Sequence, residues 1–240
     1  MKNTVMDCAC VIHGDKYNWD YVERLYSMLK RNSTHDISFH VFTEKKRVVP
    51  PHMIKHVLED WPGISGPKKA WWYKMQMFNP AHMSGKLLYM DLDVVITKNI
   101  DWMWNLDHKY FWGIRDFKYM WRPTWKGMNS SIMLWDTTQW GKIWNEFQNR
   151  NIAATVKQFH GDQDFLNSLI TEKHLRFFDQ DAVQSWRWQI KDGGLDMKTR
   201  IYNKPGAGTV LDPKTAVMIF HGSPKPHEVA DPIIAQYWKI

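Results

Sequence analysis

Short apolar runs alternate along this chain with segments whose apolar residues recur at helical spacing. The runs with the length of buried strands cover residues 8–13, 37–42, 87–90, 110–114, 131–135 and 216–220. The segments with a helical period cover residues 21–29, 69–78, 139–147 and 162–170. Strands separated by helices pack as a sheet with helices on its faces. The sequence therefore predicts an α/β fold with a mostly parallel central sheet. No linker or repeat divides the chain, so we expect a single domain over residues 1–240.

The chain has two cysteines and no long apolar segment. Cys8 and Cys10 lie two residues apart on a predicted strand, where a bridge between them would be strained. We therefore expect two free, buried thiols in a reducing compartment. A secretory signal requires a basic region before an apolar stretch, and a membrane helix requires about 20 apolar residues. The sequence shows neither, which predicts a cytoplasmic protein and leaves open a peripheral association with a membrane.

The charge and the aromatic content indicate classes of ligand. There are 32 Lys and Arg against 25 Asp and Glu, a formal net charge of +7. Such an excess attracts polyanions, among them nucleotide phosphates, nucleic acids, anionic lipids and glycans, without choosing among them. The chain also has 15 tryptophans. We expect most of them in the core and some as flat platforms for sugar rings or bases.

Four candidate functional residues follow directly after predicted strands: His13, Asp91, Asp93 and His221. Ligands in α/β sheets collect at the carboxyl ends of strands. In an extended segment the two carboxylates point the same way, out of the core, and a divalent cation between them would relieve their repulsion. The alternative is a solvated acidic turn. The loop His221-Gly222-Ser223-Pro224-Lys225-Pro226 could place an imidazole on the metal and an ammonium on a phosphate.

Two further polar segments lie next to predicted elements. Residues 161–164, with the sequence Gly-Asp-Gln-Asp, have the pattern of a helix start, where backbone N–H groups face a ligand. Helix capping alone explains Asp162 but does not require the two polar residues after it. Asn129 and Ser130 precede a predicted strand, and their side chains could bind sugar hydroxyls or form an ordinary polar turn.

In this order, the motifs resemble the metal-dependent GT-A glycosyltransferases, especially family 8, which includes glycogenin and bacterial lipopolysaccharide galactosyl- and glucosyltransferases. The resembling stretches span nearly the whole chain: Trp72-Tyr73-Lys74, Leu88-Tyr89-Met90-Asp91-Leu92-Asp93, Asn129-Ser130-Ser131, Gly161-Asp162-Gln163-Asp164 and His221-Gly222-Ser223-Pro224-Lys225-Pro226. The resemblance implies a Rossmann-like GT-A domain with a mostly parallel central sheet flanked by helices. The final motif is shorter than in glycogenin-like members, which indicates a divergent subgroup.

The resemblance also implies a role for each matching charged residue. Asp91 and Asp93 correspond to the DxD carboxylates. His221 corresponds to the histidine that completes the protein's share of a Mn²⁺ site, for which Mg²⁺ can substitute. Lys225 corresponds to a lysine on the donor diphosphate, and Lys74 to one that touches the donor sugar or phosphate.

The predicted sugar-binding and base-binding residues follow from the same resemblance. Asp162 and Gln163 correspond to the pair nearest the anomeric carbon and are the predicted catalytic residues. The remaining predicted donor-binding residues are His13 and Tyr17 at the nucleotide base, Asn129 and Ser130 at the donor sugar, and Asp164 and Gly222.

The implied activity is the transfer of a sugar from a nucleotide-sugar donor, with uracil as the base by analogy, to a glycan or lipopolysaccharide-type acceptor with retention. Hydroxylated DNA bases and proteins are alternative acceptors. Basic segments such as Lys45-Lys46-Arg47, Lys68-Lys69 and residues 115–126 could follow DNA phosphates, could equally face an anionic lipopolysaccharide core, or could be ordinary solvated surface. Two other classes stay open. A nucleotidyltransferase also uses paired aspartates and a metal, but it normally has a Gly-rich phosphate loop after its first strand. A tryptophan-rich, non-catalytic sugar-binding module would not need the predicted metal ligands.

Overall fold

The computed structural model describes residues 4–240 and, of residues 67 and 68, only the backbone. Its strands are β1 (Val5–Ile12), β2 (Asp36–Thr43), β3 (Ile54–Val57), β4 (Lys86–Met90), β5 (Val94–Ile96), β6 (Phe111–Arg115), β7 (Met128–Asp136), β8 (Leu175–Phe177), β9 (Val183–Ser185) and β10 (Val217–Ile219). Its α-helices are α1 (Asp20–Arg31), α2 (Asp101–Trp104), α3 (Thr137–Trp140), α4 (Lys142–Asn149), α5 (Ile152–Gln158), α6 (Asp162–Leu169) and α7 (Pro232–Tyr237). Three 3₁₀ segments (Pro67–Phe78, Phe117–Met120, Pro226–Glu228) and a π-helical turn (Trp186–Ile190) complete them. None of these described helices has the length and apolar character needed to cross a membrane.

Seven strands form the central sheet in the order β3-β2-β1-β4-β7-β6-β8. Strand β1 runs parallel to β2 and β4, β2 runs parallel to β3, and β6 runs parallel to β8. Only β7 is antiparallel to its neighbours β4 and β6. A smaller sheet, β5-β10-β9, follows the end of β4. The predicted α/β fold with a mostly parallel central sheet is therefore confirmed.

Alternate residues of the central strands feed two apolar clusters on opposite faces of the sheet, as the two-residue period of a strand requires. Cys8 and Cys10 of β1 belong to one cluster together with Leu25 of α1, whereas Ala9 belongs to the other. Both thiols are buried and free, as predicted, and burial raises the pKa of each. Tryptophan contributes to this core, since Trp72 is fully buried in the second cluster.

Several elements differ from the sequence prediction. The predicted helix over 69–78 is a 3₁₀ segment that is interrupted at Lys69, where φ is −136°. The predicted helix over 139–147 divides at Gly141 into α3 and α4, and α3 begins earlier because the Asp136 carboxylate accepts a hydrogen bond from Thr138 N over 2.9 Å. Strands β3, β5, β8 and β9 were not predicted, because runs of three or four residues are too short to show a period.

A histidine cluster lies at the edge of the central sheet, and we expect it to make the free energy of unfolding depend on pH. His40 Nδ1 lies 2.9 Å from His56 Nε2, and the His56 ring stacks on Phe42 and meets His82 edge-on. Burial, and then His40 and His82, lower the pKa of His56 to about 4. The His56 ring therefore binds a proton near pH 6.5 in the unfolded chain but only near pH 4 in the folded chain. The stability that is present above pH 6.5 is lost as the pH falls from 6.5 toward 4.

The variant His56→Gln is expected to reduce this loss by on the order of 1 kcal/mol, after allowance for solvent screening of a partly exposed group. Urea unfolding at pH 7 and pH 5 measures it. The exposed His160→Gln is the matched control. An identical pH dependence in both variants would contradict the assignment to His56.

Candidate active site

A cavity of about 270 Å³ opens where β1, β4 and β10 end. Because β1 and β4 are parallel neighbours, the segments that follow them meet at the same edge of the sheet. Strand β10 ends beside this edge, since Phe220 N donates to the Asp93 carbonyl oxygen over 3.1 Å. Eight predicted site residues therefore line one cavity: His13, Tyr17, Lys74, Asp91, Asp93, His221, Gly222 and Lys225.

Asp93 is held by two side chains inside this cavity. Its Oδ2 accepts a hydrogen bond from Tyr17 OH over 2.8 Å and forms an ion pair with Lys225 Nζ. The sequence predicted a carboxylate that faces solvent, but Asp93 is only 6% exposed, because these partners cover it. Burial and then the neighbouring Asp91 raise the pKa of Asp93, although Lys225 and Tyr17 oppose the rise.

A second cavity of about 340 Å³ adjoins the first and shares Trp71, Lys74 and Asp91 with it. Lys74 is 8% exposed, and its Nζ lies 2.8 Å from Asp91 Oδ1 and 3.7 Å from Asp162 Oδ2. Asp162, which is 4% exposed, also accepts a hydrogen bond from Ser130 Oγ over 2.8 Å. A buried lysine thus bridges two carboxylates that are distant in the sequence.

Burial and internal charge together set the ionisation of this lysine–carboxylate group. Burial alone would lower the pKa of Lys74, but Asp162 and Asp91 raise it above its ordinary value. Burial raises the pKa of Asp162, and Lys74 and Ser130 offset only part of that rise. A carboxylate with so little solvent around it interacts strongly with any positive charge that develops nearby.

Two of the other predicted donor-side residues line the second cavity, and one does not. Gln163 and Asp164, in the first turn of α6, line the second cavity. The Gln163 side chain accepts from Ser130 N over 3.3 Å and donates to Asp116 Oδ2 over 3.4 Å. Asn129 was predicted to precede a strand but lies within β7, because the strand begins at Met128. Its side chain accepts a hydrogen bond from Ser131 N over 3.0 Å, and it is not among the described residues that line either cavity.

His13 lies in the loop that follows β1, at the first cavity. Its ring stacks on Tyr73 at a centroid distance of 4.2 Å, and its buried Nδ1 has no hydrogen-bond partner within the described part of the chain. Next to it, Gly14 N donates to Glu44 Oε1 over 2.6 Å. Burial acts against ionisation of Glu44, but hydrogen bonds from Arg47 and Gly14 lower its pKa to about 2. His13 Nδ1 lies 3.9 Å from Glu44 Oε1, beyond hydrogen-bond distance, and the protein encloses it.

The three predicted metal ligands line one cavity, yet each has another partner. His221 Nε2 lies 2.7 Å from Ser185 Oγ, and Asp91 and Asp93 are each paired with a lysine. Within residues 4–240, no group of three or more His, Cys, Asp or Glu side chains is arranged to hold a metal ion. The donor chemistry nevertheless fits Mn²⁺. Burial and cationic neighbours lower the pKa of His221 to about 4, which leaves a neutral imidazole that lines the same cavity as the two carboxylates. The metal site stays a prediction.

Solved structures with a similar backbone are glycosyltransferases. The galactosyltransferase LgtC, in complex with donor and acceptor sugar analogs, aligns with 98% of this chain and 97% of its own, with a TM-score of 0.66 and 15% identity. This chain has a GT-A glycosyltransferase fold. The glycosyltransferase GlyE of Streptococcus pneumoniae TIGR4 aligns with 94% of this chain and 56% of its own, with a TM-score of 0.60 and 17% identity. The bifunctional glycosyltransferase WbbM aligns with 94% of this chain and 47% of its own, with a TM-score of 0.63 and 12% identity. No family model and no curated protein matches the chain.

The resemblance to GT-A glycosyltransferases is thereby confirmed at the level of the fold, over almost the whole chain. Sequence reasoning missed three residues that shape the cleft. Asp116 and Phe117 directly follow β6, so the rule that pointed to Asp91 also points to them. Trp71 lines both cavities and is 41% exposed. No sequence signal distinguishes it from its neighbour Trp72, which is fully buried.

Proposed function

We propose that this chain is a metal-dependent glycosyltransferase, which moves a sugar from a UDP-sugar donor to a glycan or lipopolysaccharide-type acceptor with retention. One observation carries the proposal: two adjoining cavities in a GT-A fold hold three carboxylates paired with two lysines. The positive lysines attract a diphosphate, and the negative carboxylates stabilise a sugar that becomes positively charged. The alternatives of a nucleotidyltransferase and of a sugar-binding module lose support, since the solved structures named above are glycosyltransferases.

The departing diphosphate requires positive charge at the first cavity. Breaking the bond to the anomeric carbon leaves negative charge on the phosphate. Lys225, which pairs with Asp93 in this structure, supplies an ammonium that donates charge-assisted hydrogen bonds to phosphate oxygens. A divalent cation held by Asp91, Asp93 and His221 would add Lewis-acid stabilisation of the same charge.

The sugar that remains requires negative charge at the second cavity. Its anomeric carbon becomes oxocarbenium-like as the diphosphate leaves. Asp162 is the candidate for stabilising this carbon, because it is buried and because Ser130 Oγ fixes its Oδ2. Lys74 favours the ionised form of Asp162, and Gln163 adds an amide at the same rim. The acceptor hydroxyl then attacks the face that the diphosphate has left, and its proton passes to an oxygen of the departing diphosphate.

The nucleotide base requires polar and planar contacts near the diphosphate. His13 and Tyr17 line the first cavity together with Lys225. The imidazole of His13 and the phenol of Tyr17 are planar rings beside which a pyrimidine could lie. These contacts support a nucleoside diphosphate as the bound part of the donor.

A thermal-unfolding screen and a single variant test this proposal. We expect UDP to raise the Tm more than uridine does, and Mn²⁺ to enlarge the UDP shift, because a ligand of the folded state stabilises by mass action. Lys225→Ala is expected to bind UDP about tenfold more weakly and uridine unchanged, since the ammonium touches phosphate and not the base. Titration calorimetry measures both affinities.

Lys157→Ala, an exposed lysine on α5, is the matched control and should bind both ligands as the parent chain does. Equal losses for UDP and uridine in Lys225→Ala would contradict a phosphate contact. A UDP shift that is insensitive to Mn²⁺ would contradict the metal requirement. If neither UDP nor any UDP-sugar raises the Tm, the proposed donor is wrong.

A further inference from the structure

Two segments outside the catalytic group form one edge of the cleft. We call them the basic rim: residues 115–126, which follow β6, and residues 186–204, which begin at the π-helical turn. They contact each other, because Trp121 meets Trp188 edge-on with ring centroids 5.1 Å apart, and Gln189 Nε2 lies 3.4 Å from Tyr119 OH. The rim is therefore a continuous surface rather than two separate loops.

The basic rim adjoins both cavities. Lys118 lines the second cavity. Phe117 and Trp188 pack against the His221 ring, with centroids 5.0 and 4.3 Å away. Arg187 lies beside Gly222, the glycine of the last motif, with its guanidinium 3.8 Å from the point where a Cβ would stand. A ligand that reaches from the cavities toward solvent on this side meets the rim.

The basic rim holds most of the net charge of the protein. Its two segments contain nine Lys and Arg and three Asp, an excess of six, while the whole chain has a formal net charge of +7. The three carboxylates bind backbone N–H groups: Asp116 accepts from Lys118 N, Asp192 from Gly208 N and Asp196 from Thr199 N. The three carboxylates keep their negative charge and are already counted in the excess of six.

Most of the rim cations have no carboxylate partner. Lys118 lies 3.6 Å from Asp116, and Lys126 lies 2.8 Å from Glu172. For the other seven, no ion pair occurs within residues 4–240: Arg115, Arg122, Arg187, Lys191, Lys198, Arg200 and Lys204. An ordinary solvated face intersperses both signs of charge, so an excess of this size next to a cleft attracts an anionic ligand.

Aromatic rings lie directly among these cations. Arg115 lies over the Tyr119 ring at 4.5 Å and Arg200 lies 6.0 Å from the centre of the Trp121 ring. Arg115 Nη2 also donates to the Pro123 carbonyl oxygen over 3.0 Å, which leaves its other N–H groups for a carboxylate or phosphate. The half-buried Tyr119 ring next to it offers a flat apolar surface. Flat rings suit the apolar faces of sugars, and guanidinium groups suit acidic substituents on them.

We infer that the basic rim binds the acceptor, and that this acceptor is an acidic glycan with carboxylate or phosphate groups. The inference rests on the proposed function and names the chemical class of the acceptor that enters the second cavity. Guanidinium and ammonium groups of the rim hold the acidic groups, the rings of Tyr119 and Trp121 contact the sugar faces, and a hydroxyl of the held glycan enters the second cavity beside Lys118.

Binding of defined oligosaccharides tests this assignment. The probes are tetragalacturonate, a phosphorylated pentamannose and neutral maltotetraose, measured by tryptophan fluorescence at low and at moderate salt. We expect the two acidic probes to bind at least tenfold more tightly than maltotetraose at low salt, and this preference to shrink as salt rises. The variant Arg122→Gln/Arg200→Gln is expected to lose about tenfold for the acidic probes. A preference for one acidic probe identifies carboxylate or phosphate as the recognised group.

The control Lys30→Gln/Lys157→Gln removes the same charge from exposed sites on α1 and α5 and should change the affinities less than twofold. Equal binding of acidic and neutral probes, or equal losses in the two double variants, would overturn the inference. Tighter binding of single-stranded DNA of matched charge would assign the rim to a nucleic acid instead and overturn the glycan. UDP binding in the same samples distinguishes a failure of the acceptor assignment from a failure of the proposed function. Loss of the acidic preference with intact UDP binding overturns the rim alone, whereas absence of UDP binding overturns the proposed function and the acceptor with it.

Discussion

Lys74→Met is expected to lower the free energy of unfolding by about 3–5 kcal/mol, because it leaves two carboxylates without their shared cation. Methionine has nearly the length of lysine and no charge. The Lys74 ammonium lies 2.8 Å from Asp91 and 3.7 Å from Asp162, and Asp162 is only 4% exposed. With so little of Asp162 exposed, water compensates poorly for the lost ammonium. Urea unfolding at pH 7 measures the loss.

The destabilisation of Lys74→Met should shrink as the pH falls. Burial already raises the pKa of Asp162 above its ordinary value, and removal of Lys74 raises it further. A carboxylate whose pKa is raised in the folded state binds its proton more tightly there than in the unfolded chain, so the variant regains stability as the pH falls through this raised pKa toward the ordinary value of an aspartate. The second variant Lys74→Met/Asp162→Asn should regain part of the loss at pH 7.

Lys157→Met, an exposed lysine on α5, is the matched control and should change stability by less than about 0.5 kcal/mol. A loss below about 1 kcal/mol in Lys74→Met, or the same loss at pH 7 and pH 5, would show that Lys74 does not neutralise buried carboxylates.

The ends of strands were predictable from local sequence, and the pairs across the cleft were not. An apolar run that ends in a polar residue shows where a strand stops, which placed His13, Asp91 and His221 at one edge. The pairing of Lys74 with Asp162 depends on the position of α6 over the second cavity, and no local pattern contains that position. The resemblance named both residues but not their contact.

The hydrogen-bond partner of the predicted metal ligand His221 was also not predictable from local sequence. Ser185, which lies 2.7 Å from its Nε2, ends the three-residue strand β9. Such a short strand has no period, so neither β9 nor its contact with His221 could be expected. The burial of Asp93 was also missed, because it depends on a lysine and a tyrosine from two other parts of the chain.

Asp162→Asn is expected to lower kcat for sugar transfer by about 100-fold or more, while the affinity for UDP changes little. Of the three carboxylates that line the second cavity, its carboxylate is the buried one, and electrostatic stabilisation of developing charge by a preorganised group is worth about 10²–10³ in rate. Asparagine keeps the shape of the side chain and removes the charge. Release of UDP from the best UDP-sugar, with and without acceptor, measures kcat, and calorimetry measures UDP affinity.

Ser130→Ala separates the charge of Asp162 from its orientation. This variant removes the hydrogen bond of 2.8 Å to Asp162 Oδ2 but leaves the carboxylate ionised beside Lys74. The loss of one hydrogen bond is worth about 1 kcal/mol, so kcat should fall by about tenfold or less. If the two variants lose equally, the role of Asp162 is to position its neighbours rather than to stabilise the anomeric carbon. If Asp162→Asn retains kcat within tenfold, the charge that the reaction requires lies elsewhere in the cleft, and Asp91, the other carboxylate that contacts Lys74, becomes the candidate.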